Sequence, residues 1–253
     1  MKRGIIILAL ISLAVCPTLA QELTGTQIVE KLNETLNPEQ SQGMMTMIIQ
    51  TSSGQERRFV YETFSKNHGE KNLIRYLEPA RSRGQATLML NHADDIWAYF
   101  PRTKRVRKLA EHAKRQKMEG SDFSYEDMGS GDVFLTEYEA KRLDDETIED
   151  RDCYQVELKR KEGSDAGYSR LIMWVDKENF VPLVIDYYHL RDPGLRLKRM
   201  VQRDIEVIQG IPTARTIIMS NLLDNTETRM EINSVDYNVD LSDDLFTERG
   251  LRE

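Results

Sequence analysis

From residue 153 to residue 237 the chain runs in short stretches where apolar and polar residues alternate, and a turn sequence follows most of them. The strand-like stretches fall near 153–160, 168–176, 181–190, 195–207, 212–222 and 227–237. Between them lie Gly163-Ser164-Asp165-Ala166-Gly167, Asp192-Pro193-Gly194, Gln209-Gly210 and Asp224-Asn225. Such residues adopt turn dihedrals at low cost or bond their own backbone. Connections this short permit only antiparallel pairing, because parallel neighbours need long crossovers. Alternation, rather than solid apolar blocks, shelters one face of each strand and leaves the other wet.

The first half carries the same pattern after one helix. Ile28, Val29, Leu32 and Leu36 recur at helical spacing, with Thr24 or Thr26 as cap and Pro38 closing the segment. Met45, Met47 and Ile49 then alternate with more polar neighbours, as do Phe59, Tyr61 and Thr63 after the Ser52-Ser53-Gly54 turn. Further runs cover 72–77, 85–90 and 95–100. About eleven strands in one antiparallel series make a sheet too large to stay flat under normal strand twist. The expected fold is therefore mainly β, a curved antiparallel sheet forming an open or closed barrel. Wall side chains cannot fill an interior of that size. The segments Thr26 to Leu36, Ala110 to Met118 and Ser121 to Met128 are expected to serve as plug or lid. A sheltered apolar concavity closed by helices suits an apolar ligand.

The N-terminus reads as a secretion signal. Lys2 and Arg3 precede an apolar run from Ile5 to Val15 broken only by Ser12, and Thr18-Leu19-Ala20 supplies small residues for cleavage after Ala20. A competing lipid-anchor box at Leu13-Ala14-Val15-Cys16 has Val15 where Gly, Ala or Ser is wanted, and Pro17 follows. Cleavage after Ala20 is the expectation. It leaves residues 21–253 as one domain without linker or repeat, exported from the cytoplasm. Loss of Lys2 and Arg3 takes the formal charge from −7 to −9, which disfavours nucleic acid as a partner. Cys153 would be the one remaining cysteine, so no internal disulfide forms, and a buried strand position is expected for it.

The residues that carry chemistry are scattered. His68, His92, His112 and His189 lie far apart, with no HExxH and no paired cysteines. His92, Asp94 and Asp95 read as a polar turn. Ser169, Ser220 and Ser234 lack a nucleophile-elbow context, and Gly129-Ser130-Gly131 lacks the Gly-Lys-Ser/Thr of a phosphate loop. No catalytic residue, metal or cofactor is expected. One basic run stands against the acidic average. Arg102, Lys104, Arg105, Arg107 and Lys108 are followed by Lys114, Arg115 and Lys117, with Glu111 the sole acid among them. It reads equally as a solvated edge, where lysine discourages edge pairing, or as a docking patch for anionic lipid head groups or an acidic protein.

Three motifs together resemble the outer-membrane lipoprotein-sorting, LolA-like family. They are Asp94-Asp95-Ile96-Trp97-Ala98-Tyr99-Phe100-Pro101 continuing through Lys108, Gly120-Ser121-Asp122-Phe123-Ser124-Tyr125-Glu126-Asp127-Met128, and Trp174-Val175-Asp176-Lys177-Glu178 through Pro182-Leu183 to Tyr187. The resemblance spans nearly the whole chain after the signal and is nearer the divergent branch associated with RND-type lipid exporters. It implies an unclosed β-barrel, a helical lid and an apolar cavity carrying acyl chains of a lipid or lipoprotein across the periplasm. The implied partners are an inner-membrane RND-type transporter, an outer-membrane acceptor and a transient membrane surface.

Strand parity names candidate walls for such a cavity. It groups Trp97 with Tyr99, Ile172 with Trp174, and Leu183 with Ile185 and Tyr187. It also groups Val201 with Ile205, Ile217 with Met219, and Met230 with Ile232. These sets are expected on the concave side, where methionines and aromatics adapt to acyl chains; the alternative is a filled core. Three function classes follow: a periplasmic lipid or lipoprotein carrier, a lipid-binding sensor acting through a protein partner, and an enzyme, which the missing catalytic residues disfavour.

Overall fold

The computed structural model describes residues 22–129 and 132–252. The expected signal segment 1–20, with Cys16, lies outside them, as do Ser130 and Gly131. The first element of the described residues is helix α1 (Gly25–Leu36), as the 3.6-residue spacing of Ile28, Val29 and Leu32 requires. Six strands follow: β1 (Gln40–Gln50), β2 (Glu56–Lys66), β3 (Lys71–Glu78), β4 (Ala86–Leu90), β5 (Asp95–Phe100) and β6 (Arg105–Lys108). A connection with 3-10 turns at Glu111–Arg115 and Met118–Gly120 leads to two one-turn helices, α2 (Tyr125–Met128) and α3 (Val133–Thr136). Strands β7 (Tyr138–Arg142), β8 (Glu146–Ile148), β9 (Arg151–Arg160) and β10 (Tyr168–Asp176) come next. The series closes with β11 (Pro182–His189), β12 (Arg196–Ile208), β13 (Ile211–Asn221) and β14 (Thr226–Asp236).

All pairings are antiparallel, in the order β6-β5-β4-β3-β2-β1-β14-β13-β12-β11-β10-β9-β7, with β8 paired to β9. The two ends, β6 and β7, do not meet, so this is an unclosed barrel. Sequence reading gave about eleven strands and the structure has a 14-stranded sheet. The added strands β6, β7 and β8 are only four, five and three residues long, too short for alternation to set them apart in the sequence. Bulges at Leu77, Leu183 and Asn233, read from the register shifts against β2, β10 and β1, help bend the sheet.

The inner face packs on α1, α2 and α3 through a core that includes Met47, Phe59, Tyr61, Tyr76, Leu158 and Met173. The outer face is covered in two places. Over β2 to β5, the C-terminal segment lays Leu241, Phe246 and Leu251 on Phe64, Leu73 and Leu88. Lys66 Nζ donates to the Leu241 carbonyl (2.7 Å) and Arg75 to that of Gly250 (2.8 Å), which hold the segment down. Over β9 to β12, Cys153, Val181, Leu183 and Val184 form a second cluster. Cys153 is buried there, and burial first of all pushes its thiol up to about 11, so little reactive thiolate exists at neutral pH.

Candidate functional site

The inner space is shaped first by α1. Thr24 and Gln27 form a reciprocal capping box at its start. Gly25 rests on the backbone of β7, where a Cβ would stand 2.6 Å from the Arg142 nitrogen. Only glycine permits that approach. The helix buries Ile28, Val29 and Leu32 and turns Leu32, Asn33 and Leu36 toward a void.

A lid completes the enclosure, and its tethers are polar. Lys114 bridges Asp94 (2.9 Å) and Asp165 (2.5 Å), and Lys117 pairs with Asp224 (2.6 Å). Arg57 donates to the Gly120 carbonyl at 3.1 Å. Buried Asp122 accepts from the hydroxyls of Thr226 and Thr228, and its N–H donates to Thr228 Oγ1. Ser124 and Asp127 then cap α2 reciprocally, at 3.1 and 2.7 Å. The Asp127 carboxylate has a second role. Tyr168 donates its hydroxyl hydrogen to Oδ1 (2.8 Å), and Lys198 reaches Oδ2 (3.0 Å) and the Tyr168 oxygen (2.9 Å). The Lys198 and Asp127 side chains are only 7% and 2% exposed. Burial before all else raises the Tyr168 and Tyr187 hydroxyls well above the usual phenol range, so both stay protonated.

Between sheet and lid lies a cavity of about 330 Å³. The sheet contributes Leu171, Ile185, Tyr187, Met200, Ile217 and Met230, and the lid side contributes Phe123, Met128, Val133 and Phe134. A neighbouring groove of about 240 Å³ shares Leu36, Asn37, Met45 and Met128 with it and runs past Gly43 and Ile232. Glu126, which also lines the cavity, has a perturbed carboxyl. Burial, the largest cause, raises it to about 7, with Asp127 adding to the rise and the Gly167 N–H opposing it.

The candidate walls divide between the two faces. Ile185, Tyr187, Ile217 and Met230 line the cavity, Met219 lies in the inner core beside them, and Ile232 lines the groove. The others require correction. Trp97 and Tyr99 lie on the outer face with the C-terminal cluster, while Ile96 of the same strand lies in the inner core. Trp174, Leu183, Val201 and Ile205 belong to the other outer cluster. Ile172 shares the parity of Trp174, opposite to the inner residues Leu171 and Met173. Strand β10 is apolar on both faces, so parity groups its residues without saying which group points inward. In β11 the bulge at Leu183 turns that side chain away from Ile185.

The basic run also divides. Arg102, Lys104, Arg105, Arg107 and Lys108 are exposed on β6 and its turn. Lys108 pairs with Asp95 (2.5 Å) and lies over the Trp97 ring. Lys114 is buried between its carboxylates. Arg115 donates to the Asp165 carbonyl and Lys117 is tied to Asp224. These last three are lid tethers rather than parts of one open patch. Of the expected lid segments, Ala110 to Met118 forms a 3-10 turn, and in Ser121 to Met128 only Tyr125–Met128 is helical. Sequence reading missed the wall residues Phe123, Leu171 and Met200 and the cluster of Asp127, Tyr168 and Lys198. Lys198 has the parity of Met200 within β12, but with Val201 and Ile205 expected on the concave side it reads as an outward lysine, so nothing in the sequence signals the buried pair.

An unclosed antiparallel barrel around an apolar cavity, with a tethered lid, is a LolA-like fold. A family model described only as "uncharacterized protein" matches residues 68–253, and the chain belongs to that family. The solved structure of a DUF1329 family protein from Desulfovibrio piger is similar, with a TM-score of 0.82 and 27% identity over 90% of this chain and 97% of that one. A LolA superfamily protein from Nitrosomonas europaea gives 0.74 and 26%, covering 90% of this chain and 99% of that one. A domain from Vibrio parahaemolyticus, whose description assigns it to outer membrane lipoprotein sorting, has the same fold at 0.83 and 24%, covering 90% and 98%. Comparison with curated proteins returns no match.

Proposed function

We propose that this protein is a periplasmic carrier that encloses an acyl chain of a lipid or lipoprotein and passes it between envelope membranes or to exporter partners. The observation that carries the reading is the 330 Å³ cavity itself, at the lower end of the range typical of ligand pockets. Wall side chains alone cannot fill a sheet of this size, and the lid does not fill it either: a void remains against Ile217 and Met230. The lipoprotein-sorting description of the Vibrio parahaemolyticus domain and the LolA classification of the Nitrosomonas europaea protein support the same role. The carrier acts by burial of apolar surface, worth about 0.8 kcal/mol per methylene transferred from water, and performs no bond chemistry. Exchange with an inner-membrane RND-type transporter and an outer-membrane acceptor fits a ligand of this kind.

The test is titration with an environment-sensitive apolar probe. Wild-type protein should show saturable binding, and Ile217→Trp, which fills the void from its wall, should abolish it while the fold is retained. Absence of any probe binding by the wild type, together with a melt showing a fully packed interior, would remove the carrier reading.

A further inference from the structure

The polar groups that line the cavity differ in how well they are satisfied. Asp127 accepts from Tyr168, Lys198 and the Ser124 N–H. Asn37 directs its amide to Asn33. Glu126 is different. Its Oε1 accepts from the Gly167 N–H at 2.7 Å, while Oε2 is sealed from solvent and has no hydrogen-bond partner among the described residues. A buried acceptor left unpaired in an otherwise satisfied site requires a reason.

Glu126 is also the side chain shared by two voids. On one side is the apolar cavity, and on the other a polar hollow of about 80 Å³. The hollow is walled by Asp94, Asp132, Glu137 and Asp165 against Lys114 and His92. Lys114 is already bridged between Asp94 and Asp165, and His92 Nε2 stands 3.5 Å from Asp132. Carboxylates outnumber cations at this junction, so an anionic head group would be repelled there. A head that donates hydrogen bonds and carries no negative charge would complete Oε2.

Volume limits the tail. A cavity of 150 Å³ lined by aliphatic side chains admits benzene, so one of about 330 Å³ has room for on the order of a dozen carbons in a single chain.

We propose that Glu126 is the head-group anchor of the cavity, and that the ligand is a single-chain lipid whose hydroxyl or ammonium head donates to Glu126 Oε2 while its tail lies against Leu171, Ile217 and Met230. This rests on the carrier reading and goes beyond it by naming the ligand class.

The experiment compares 1-dodecanol, dodecylammonium and laurate, each below its aggregation threshold, as competitors of the apolar probe at pH 8, where Glu126 is ionised and acceptor-only. Wild-type protein should prefer the alcohol and the ammonium over laurate by ten-fold or more. Glu126→Gln should narrow that preference to about three-fold or less, chiefly by improving laurate, and Ile217→Trp should exclude all three. Equal binding of the three by the wild type, with exclusion by Ile217→Trp, overturns the anchor but leaves the carrier reading standing. A preference that survives Glu126→Gln also overturns the anchor. Failure of every ligand and of the probe overturns both. The ranking in wild-type protein decides the matter even if Glu126→Gln does not fold.

Discussion

Replacing Lys198 with Met would leave the Asp127 carboxylate buried without its counter-charge. The two side chains are 7% and 2% exposed and 3.0 Å apart, so solvent screens the pair very little. Removing one partner of a buried pair costs about 3–5 kcal/mol. Asp127 keeps the Tyr168 hydroxyl and the Ser124 N–H after the change, which places Lys198→Met near the lower end, about 3 kcal/mol. Asp127→Asn alone should cost a similar amount, because it strands the ammonium against one phenol oxygen. The double variant removes both charges and keeps the shape. It should cost only about 1 kcal/mol, far less than the sum of the single changes. Urea melts of the four proteins at pH 7 measure this, provided the denaturant slopes agree. Amide exchange adds a local reading. The Ser124 and Asp127 amides should exchange on the order of a hundred-fold faster in Lys198→Met, since each 1.36 kcal/mol is about a factor of ten. A loss below about 1 kcal/mol for Lys198→Met, or a double variant as unstable as the sum, would refute the claim that this pair holds the lid.

Three further outcomes can be checked. Glu126 has a folded pKa of about 7, above the ordinary carboxyl value because of burial, so its protonated form favours folding. That stability is fully present below about pH 4.5 and is lost as pH rises through 7, by at most about 3 kcal/mol; Glu126→Gln should flatten the slope between pH 5 and 8 in urea melts. Met230 is 1% exposed and accepts a hydrogen bond from Tyr61 at 3.6 Å, whereas Ile217 is half-buried on the cavity wall. Met230→Ala should therefore cost about 2–5 kcal/mol and Ile217→Ala about 1 kcal/mol, in the same melts. Changing Arg102, Arg105 and Arg107 to Glu should weaken binding to acidic vesicles and reduce its salt dependence, with stability unchanged; unaltered vesicle binding would make β6 a plain charged edge.

The sequence by itself determined the antiparallel architecture, because alternation and short turns leave no other pairing open. It determined α1 and, to within one or two residues, the boundaries of β9 to β14. Curvature also followed, since so many strands cannot stay flat. Tertiary structure decided which face of each strand points inward. Trp97 and Trp174 are large and apolar, yet they lie outside because the C-terminal segment and the β8 to β12 cluster give them shelter there. Local pattern records that a side chain is sheltered but not what shelters it. The same limit hid the lid. Asp122, Glu126 and Asp127 stand together in one motif, but their partners Thr228, Gly167, Tyr168 and Lys198 are distant in sequence. A buried charge is intelligible only with the group that pairs it, and only the folded chain brings the two together.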